Sequence, residues 1–130
     1  MTDIRTKRVL VIDDAALVRL YYRGALESAG FHVDEALNGL EALEKLLMTP
    51  VDLLIVDVNM PQMDGFTFLE ALRRLELPLG ATPALITSTE SGPQDLEAAR
   101  TAGANFYLVK PVASDELVAY AMALSGLHDG

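Results

Sequence analysis

Two adjacent aspartates, Asp13 and Asp14, directly follow the apolar run Arg8–Ile12, and a third, Asp57, directly follows Val51–Val56. If those runs are parallel strands of one sheet, their carboxyl ends share an edge, and carboxylates far apart in sequence converge in one shallow pocket. Three neighbouring carboxylates repel one another and hold raised pKa values unless a hard cation compensates, which makes Mg²⁺ the economical partner. Asn59 stands two residues beyond Asp57 and offers a backbone carbonyl to the same ion. Lys110 and Ser88 end two further apolar runs. The lysine can neutralise an anion brought to Asp57, and the hydroxyl can donate to one of its oxygens. Thr87 and Thr89 flank Ser88, so the residues alone leave the choice of hydroxyl open. Singly, each group is ordinary, since Asp favours turns and a strand-end lysine snorkels. Their shared placement carries the reading.

The elements that must position them are short apolar runs alternating with helical patterns. Arg8–Ile12 and Val51–Val56 are nearly continuous in aliphatic residues, as expected of strands covered on both faces of a parallel sheet. Val18, Tyr22, Ala25, Leu26 and Ala29 recur at helical spacing and stop at Gly30, a C′ residue. Phe31–Ala36 reads as a second strand. Asn38 and Glu41 form a near capping box before a helix carrying Leu40, Leu43, Leu46 and Leu47, ended by Pro50. Gly65 opens a third helix through Arg74, with Phe68, Leu69 and Leu72 inward. Pro83–Ser88 is the fourth strand, Pro93–Ala102 the fourth helix, Phe106–Lys110 the fifth strand, and Ser114 caps a last helix to about Leu124. Five βα units make an open α/β sandwich, with binding groups where the strand order reverses.

Composition narrows the function classes. The 130 residues fit a single domain, 1–130, with an ordered core of about 7–126 and frayed ends at Met1–Lys7 and Leu127–Gly130. Lys and Arg total 10 against 19 Asp and Glu, a formal net charge of -9, so the mean field repels phosphate backbones and anionic lipid. Direct nucleic-acid binding is disfavoured. No cysteine is present, which removes disulfides, thiolate nucleophiles and Cys-ligated metals. Without an 18-residue apolar run or a signal-peptide pattern, the expectation is no membrane insertion and a cytoplasmic location.

The segments IDDA at Ile12–Ala15, VDVNMPQMDG at Val56–Gly65, ITST at Ile86–Thr89 and YLVKP at Tyr107–Pro111 together resemble bacterial response-regulator receiver domains, in the same order and over nearly the whole chain. The resemblance implies a flavodoxin-like (βα)5 fold with strand order 2-1-3-4-5, an order the chemotaxis regulator exemplifies. It implies that Asp57 is the phosphoacceptor, Asp14 a direct Mg²⁺ ligand, Asp13 a ligand acting largely through water, and Asn59 a main-chain ligand. It makes Ser88 the switch hydroxyl, Tyr107 the switch aromatic and Lys110 the phosphoryl-binding cation, with a cis Lys110–Pro111 bond. Thr89 departs from the small residue common at its position. The implied partners are a sensor histidine kinase and a phosphorylation-dependent protein target, as in a chemotaxis regulator on a flagellar switch, or a histidine phosphotransfer protein in a relay. Autodephosphorylation would accompany transfer without making the chain a conventional turnover enzyme.

Rival classes follow from the same residues. A flavodoxin-like FMN carrier shares the architecture, yet its first loop should present hydroxyl and amide donors to phosphate, and Asp13-Asp14-Ala15-Ala16 presents the opposite. A hydrolase needs a nucleophile and base, and neither His32 nor His128 has a recognisable spacing for one. A phosphorylation-independent interaction module is the remaining alternative, because Leu117–Leu124 carries more apolar residues than one buried stripe requires.

Overall fold

The computed structural model describes residues 6–126. Of the expected frayed ends, Met1–Arg5 and the whole of Leu127–Gly130, with His128, lie outside the described residues. The elements are β1 (Arg8–Ile12), α1 (Ala16–Ser28), β2 (His32–Ala36), α2 (Gly39–Met48), β3 (Leu53–Asp57), α3 (Gly65–Arg73), a short 3₁₀ turn (Leu79–Ala81), β4 (Ala84–Ser88), α4 (Pro93–Ala102), β5 (Phe106–Val109) and α5 (Ser114–Ser125). The five strands form one parallel sheet in the order β2-β1-β3-β4-β5. The flavodoxin-like α/β expectation is met, with the order reversing between β1 and β3.

Strand alternation divides the apolar residues between two layers. Val9, Val11, Leu53, Ile55, Leu85 and Leu108 pack with Tyr22 and Leu26 of α1 and Leu117 and Ala121 of α5. Leu10, Ile12, Leu54, Val56 and Ile86 pack on the opposite face with Leu46 of α2, Phe68, Leu69 and Leu72 of α3, and Ala99 and Ala102 of α4. The central strands are buried on both faces, which is why their sequences read as unbroken apolar runs.

Local chemistry sets most element ends. Asn38 caps α2 by accepting from Glu41 N at 2.9 Å, while the Glu41 carboxylate reaches Leu37 N rather than Asn38 N, a capping box displaced by one residue. Asp64 caps α3 through Thr67 N, and Gly30 takes φ +102° behind α1 as its expected C′ role requires. Ser114 does not cap α5. It is the first helical residue behind Ala113, and Asp115 and Glu116 supply the negative charge at that end. On α2, Ala42 and Leu46 are buried, while Leu40 and Leu47 are exposed. The β3 strand starts two residues later than expected because Asp52 turns its carboxylate onto Arg8 N, and Pro83 stays outside β4. Val109 ends β5, although Lys110 N still donates to Ser88 O at 2.7 Å.

Two long-range features lock the α3 to β5 half. The Arg73 guanidinium donates to the carbonyls of Gly103, Gly80 and Thr82, and to Asn105 Oδ1. It thereby terminates α4 and the 3₁₀ turn at once, and burial lowers its pKa. At the other end of α3, Gly65 N donates to Val58 O, and a Cβ on Gly65 would lie 2.4 Å from Asp57 O. Glycine is needed there so that α3 can start against the end of β3.

Arg73→Met should therefore cost about 2–4 kcal/mol in urea unfolding, since several charge-assisted bonds are lost together. Loss below about 0.5 kcal/mol would show that water replaces the guanidinium freely. Gly65→Ala should cost about 1–3 kcal/mol by forcing α3 away from Asp57; amide NMR shifts concentrated at residues 56–59 are the accompanying signature, and an unshifted segment would contradict the packing argument.

Candidate phosphoacceptor site

Asp13 is the first residue beyond β1, and Asp57 is the last residue of β3. Because β1 and β3 are parallel neighbours in register, both carboxylates emerge at one edge of the sheet. Each continues the alternation of the residues facing α1 and α5: Val11 leads to Asp13 and Ile55 to Asp57. On β5, Leu108 leads in the same way to Lys110. Single carboxylate oxygens of Asp13, Asp14 and Asp57 lie within 4.8 Å of one another. Asp13 and Asp57 are buried, while Asp14 is exposed at the mouth.

Lys110 binds this cluster from β5. Its Nζ stands 2.9 Å from Asp13 Oδ2 and 2.9 Å from Asp57 Oδ1, with the side chain only 18% exposed. Burial pushes the Asp57 carboxyl above its ordinary range; the Lys110 hydrogen bond opposes this, and the charge of Asp13 and then of Asp14 adds to it. Burial alone would lower the Lys110 ammonium, but its bonds to Asp57 and Asp13 outweigh that and hold it above its ordinary value. One ammonium among three carboxylates leaves an excess of negative charge on oxygen donors. That donor set suits a divalent hard cation held by Asp13, Asp14 and Asp57. Asn59 is exposed in the loop that follows Asp57, beside the cluster in sequence.

The remaining expected residues occupy the adjoining strands. Ser88 ends β4 and is buried; its Oγ accepts from Glu90 N at 3.1 Å. Tyr107 is half-buried against the α2, α3 and α4 layer, and its hydroxyl donates to Glu90 O at 2.7 Å. Ser88 and Tyr107 therefore meet through one residue, Glu90, in the loop leading to α4. Thr89 is exposed and joins Lys110, Pro111, Val112, Tyr22, Val18 and Leu17 in lining a cavity of about 480 Å³. The Lys110–Pro111 bond is cis, as the resemblance implied.

Two neighbours, Tyr22 and Arg19, escaped the sequence reading as parts of the site, and a third, Thr87, stood there only as a rival hydroxyl to Ser88. Thr87 is the register partner of Asp57, wholly buried, with a hydroxyl that has no hydrogen-bond partner among the described residues. Tyr22 counted only as a core residue at helical spacing, yet its phenol lies in the same layer, and burial pushes its pKa up. Arg19 donates to the carbonyl of Asp13 at 2.7 Å. Helical periodicity signals Tyr22 as buried but says nothing of what surrounds it, and no local pattern marks Arg19.

Comparison with known proteins agrees with this geometry. The model of the response regulator receiver domain matches residues 9–122. The transcriptional regulatory protein PrrA of Mycobacterium leprae is 38% identical over 123 residues, which is 95% of this chain and 52% of PrrA. The chain thus spans about half the length of the curated relatives it matches first. The sensor protein EvgS of Escherichia coli is also 38% identical, over 92% of this chain but 10% of its own length. Among solved structures, the chemotaxis protein CheY4 of Vibrio cholerae superposes with TM-score 0.86 at 34% identity, covering 92% of this chain and 99% of that chain. A putative response regulator from Chloroflexus aurantiacus gives 0.88 at 32%, covering 94% and 99%. With its order of strands, its acidic cluster and its strand-end lysine all accounted for, the chain belongs to the response-regulator receiver domain family.

Proposed function

We propose that Asp57 accepts a phosphoryl group from a phosphohistidine on a sensor kinase and that the chain signals by binding a protein target in the phosphorylated state. The observation that carries this is the ammonium of Lys110 at 2.9 Å from Asp57 Oδ1, in a cluster of three carboxylates at one sheet edge. A buried carboxylate beside a fixed cation is a nucleophile with a counter-charge already in place for the oxygens that arrive. Asp57 attacks phosphorus, the P–N bond breaks, and its electron pair stays on the leaving imidazole nitrogen, leaving an acyl phosphate on Asp57. When bound, Mg²⁺ would be held by Asp13, Asp14, Asp57 and the main-chain oxygen of Asn59 and would neutralise charge on the phosphoryl oxygens. Lys110 exchanges its bond to Asp57 for one to the phosphoryl group, and Ser88 donates to another oxygen. Attack of water at the same phosphorus breaks its bond to the Asp57 oxygen, releases inorganic phosphate and returns Asp57 to its carboxylate.

An apolar rim beside the acids supports a protein donor. Leu17 and Leu20 of α1 are 80% and 64% exposed, and Leu17 joins Pro111 and Val112 around the cavity next to Lys110. That rim fits a helical histidine-bearing partner and serves equally in a relay to a histidine phosphotransfer protein, which is the second reading. Output runs the other way. Ser88 and Tyr107 share Glu90, so a Ser88 hydroxyl drawn to phosphate releases the loop that holds the Tyr107 hydroxyl. The affected face includes Phe106 stacked on Tyr120 at 4.3 Å, with Leu96 exposed beside Phe106. Only Leu117 and Ala121 of the apolar α5 residues are fully buried, and Val118, Tyr120, Met122 and Leu124 are half-buried, leaving part of that helix for a partner. A single-domain role, including one in chemotaxis, belongs to this reading, and so does a cytoplasmic location; among the described residues no helix is long and apolar enough to cross a membrane.

Treatment with acetyl phosphate and Mg²⁺ should add one phosphoryl group to the parent and none to Asp57→Asn, read by intact mass. Equal labelling of both, or labelling mapped to Ser88, rejects the assignment.

The same substitution has a second expected effect. Because the folded Asp57 pKa is raised, its contribution to stability is present below the unfolded value and lost as pH rises through the folded one. Ionised Asp57 therefore destabilises the metal-free fold at neutral pH. In EDTA at pH 7 the thermal midpoint of Asp57→Asn should exceed that of the parent, and the gain should shrink on acidification through that window; a lowered midpoint at pH 7 would contradict the electrostatic account.

A further inference from the structure

We infer that Arg19 is a positioning residue for the divalent cation, with Glu35 as its anchor; this rests on the metal reading above and deepens it. Arg19 lies one turn into α1, at a helix end where positive charge is unfavourable. That end has no side-chain cap and no acidic residue in its first turn, so helix stability does not explain the arginine. Its side chain is only 12% exposed. Nη1 donates to Asp13 O at 2.7 Å and Nε to Glu35 Oε1 at 2.7 Å.

Each polar group of Asp13 is thereby engaged by a different element. Its N–H donates to Ala36 O of β2, its Oδ1 accepts from Ala15 N, its Oδ2 from Lys110, and its carbonyl from Arg19. The carbonyl matters most for Asp14, because Asp13 C=O and Asp14 N–H share one rigid peptide plane. Asp14 is exposed, and no hydrogen bond to its carboxylate is seen among the described residues, so the orientation of that plane sets where the carboxylate stands. Holding the plane through the guanidinium keeps Asp14 within reach of Asp13 and Asp57.

Glu35 in turn fixes Arg19. It lies on β2, and its second oxygen accepts from Arg23, which also donates to Val33 O at 2.8 Å. Burial pushes the Glu35 carboxyl up, but the Arg19 and Arg23 hydrogen bonds outweigh it and leave the group below its ordinary range. The anchor is thus an ionised carboxylate clamped between α1 and β2.

Field effects and positioning predict opposite signs. Removing a cation bonded to the Asp13 carbonyl should tighten Mg²⁺ binding if only charge matters. If Arg19 positions Asp14, its removal should weaken binding, by about 10–100-fold for an outer partner of this kind. Calorimetric titration with Mg²⁺ alone, on parent, Arg19→Met, Arg19→Lys, Glu35→Gln and Asp14→Asn, separates the two. Urea unfolding in EDTA establishes that each variant is folded. Expected are a tenfold or greater loss in Arg19→Met, a loss also in Arg19→Lys, which keeps the charge but not the fork, and a smaller loss in Glu35→Gln. If Arg19→Met fails to fold, Arg19→Lys and Glu35→Gln carry the comparison. Affinity equal to or tighter than the parent in the folded Arg19 variants overturns the positioning role while the metal reading stands. A parent that does not bind Mg²⁺, or an Asp14→Asn protein that binds it undiminished, overturns the metal reading and this inference with it.

Discussion

Repulsion among three carboxylates at one edge of the sheet, opposed by a single lysine, is the constraint around which this chain is organised. Asp13 and Asp57 are withdrawn from water, where an isolated charge is costly. What makes their burial tolerable is Lys110, brought from β5 on the far side of β4 to within 2.9 Å of each. The pair is not a stabilising device in the ordinary sense, since desolvation cancels much of what the Coulomb attraction returns. It is a poised one. The excess of negative charge favours a cation, and the ammonium anticipates an anion.

The parallel sheet makes the arrangement possible. Strand register carries Val11, Ile55 and Leu108 on one face, so the next residue of that parity on each of the three strands is Asp13, Asp57 or Lys110. Ser88 and Tyr107 have the opposite parity and face the other helical layer. Alternation therefore separates the chemistry, facing α1 and α5, from the coupling hydroxyls, facing α3 and α4, across a single thickness of sheet. Glu90 joins the two coupling groups through its backbone on both sides, donating to Ser88 and accepting from Tyr107.

The supporting contacts are made largely to backbone carbonyls by arginines. Arg19 holds Asp13, and Arg73 holds the ends of α4 and the 3₁₀ turn. A guanidinium is suited to this because its donors radiate in one plane and it keeps its charge when buried. Gly65 serves the same end by absence, allowing α3 to begin against the Asp57 carbonyl. Precision at the acidic edge thus depends on residues that do not themselves enter the cluster.

Local periodicity determined much of this protein from sequence alone. Five βα units, the aspartates at the ends of β1 and β3, the strand-end lysine, the Asn38 cap and the Gly30 terminator were all legible, because each rests on neighbours a few residues away. Resemblance to a family added the strand order and the roles proposed for Ser88 and Tyr107. Tertiary structure decided the rest. Ser114 lost the cap position to Ala113, and on α2 Ala42 and Leu46 are buried while Leu40 and Leu47 stay exposed, since apolar residues around that helix outnumber the places its layer offers. The Lys110 bond to Asp13 spans 97 residues, and Arg73 reaches Gly103 across 30. Such contacts leave no periodic trace, because a side chain that donates to a distant carbonyl has an acceptor every residue type supplies; only the folded chain shows which one it meets.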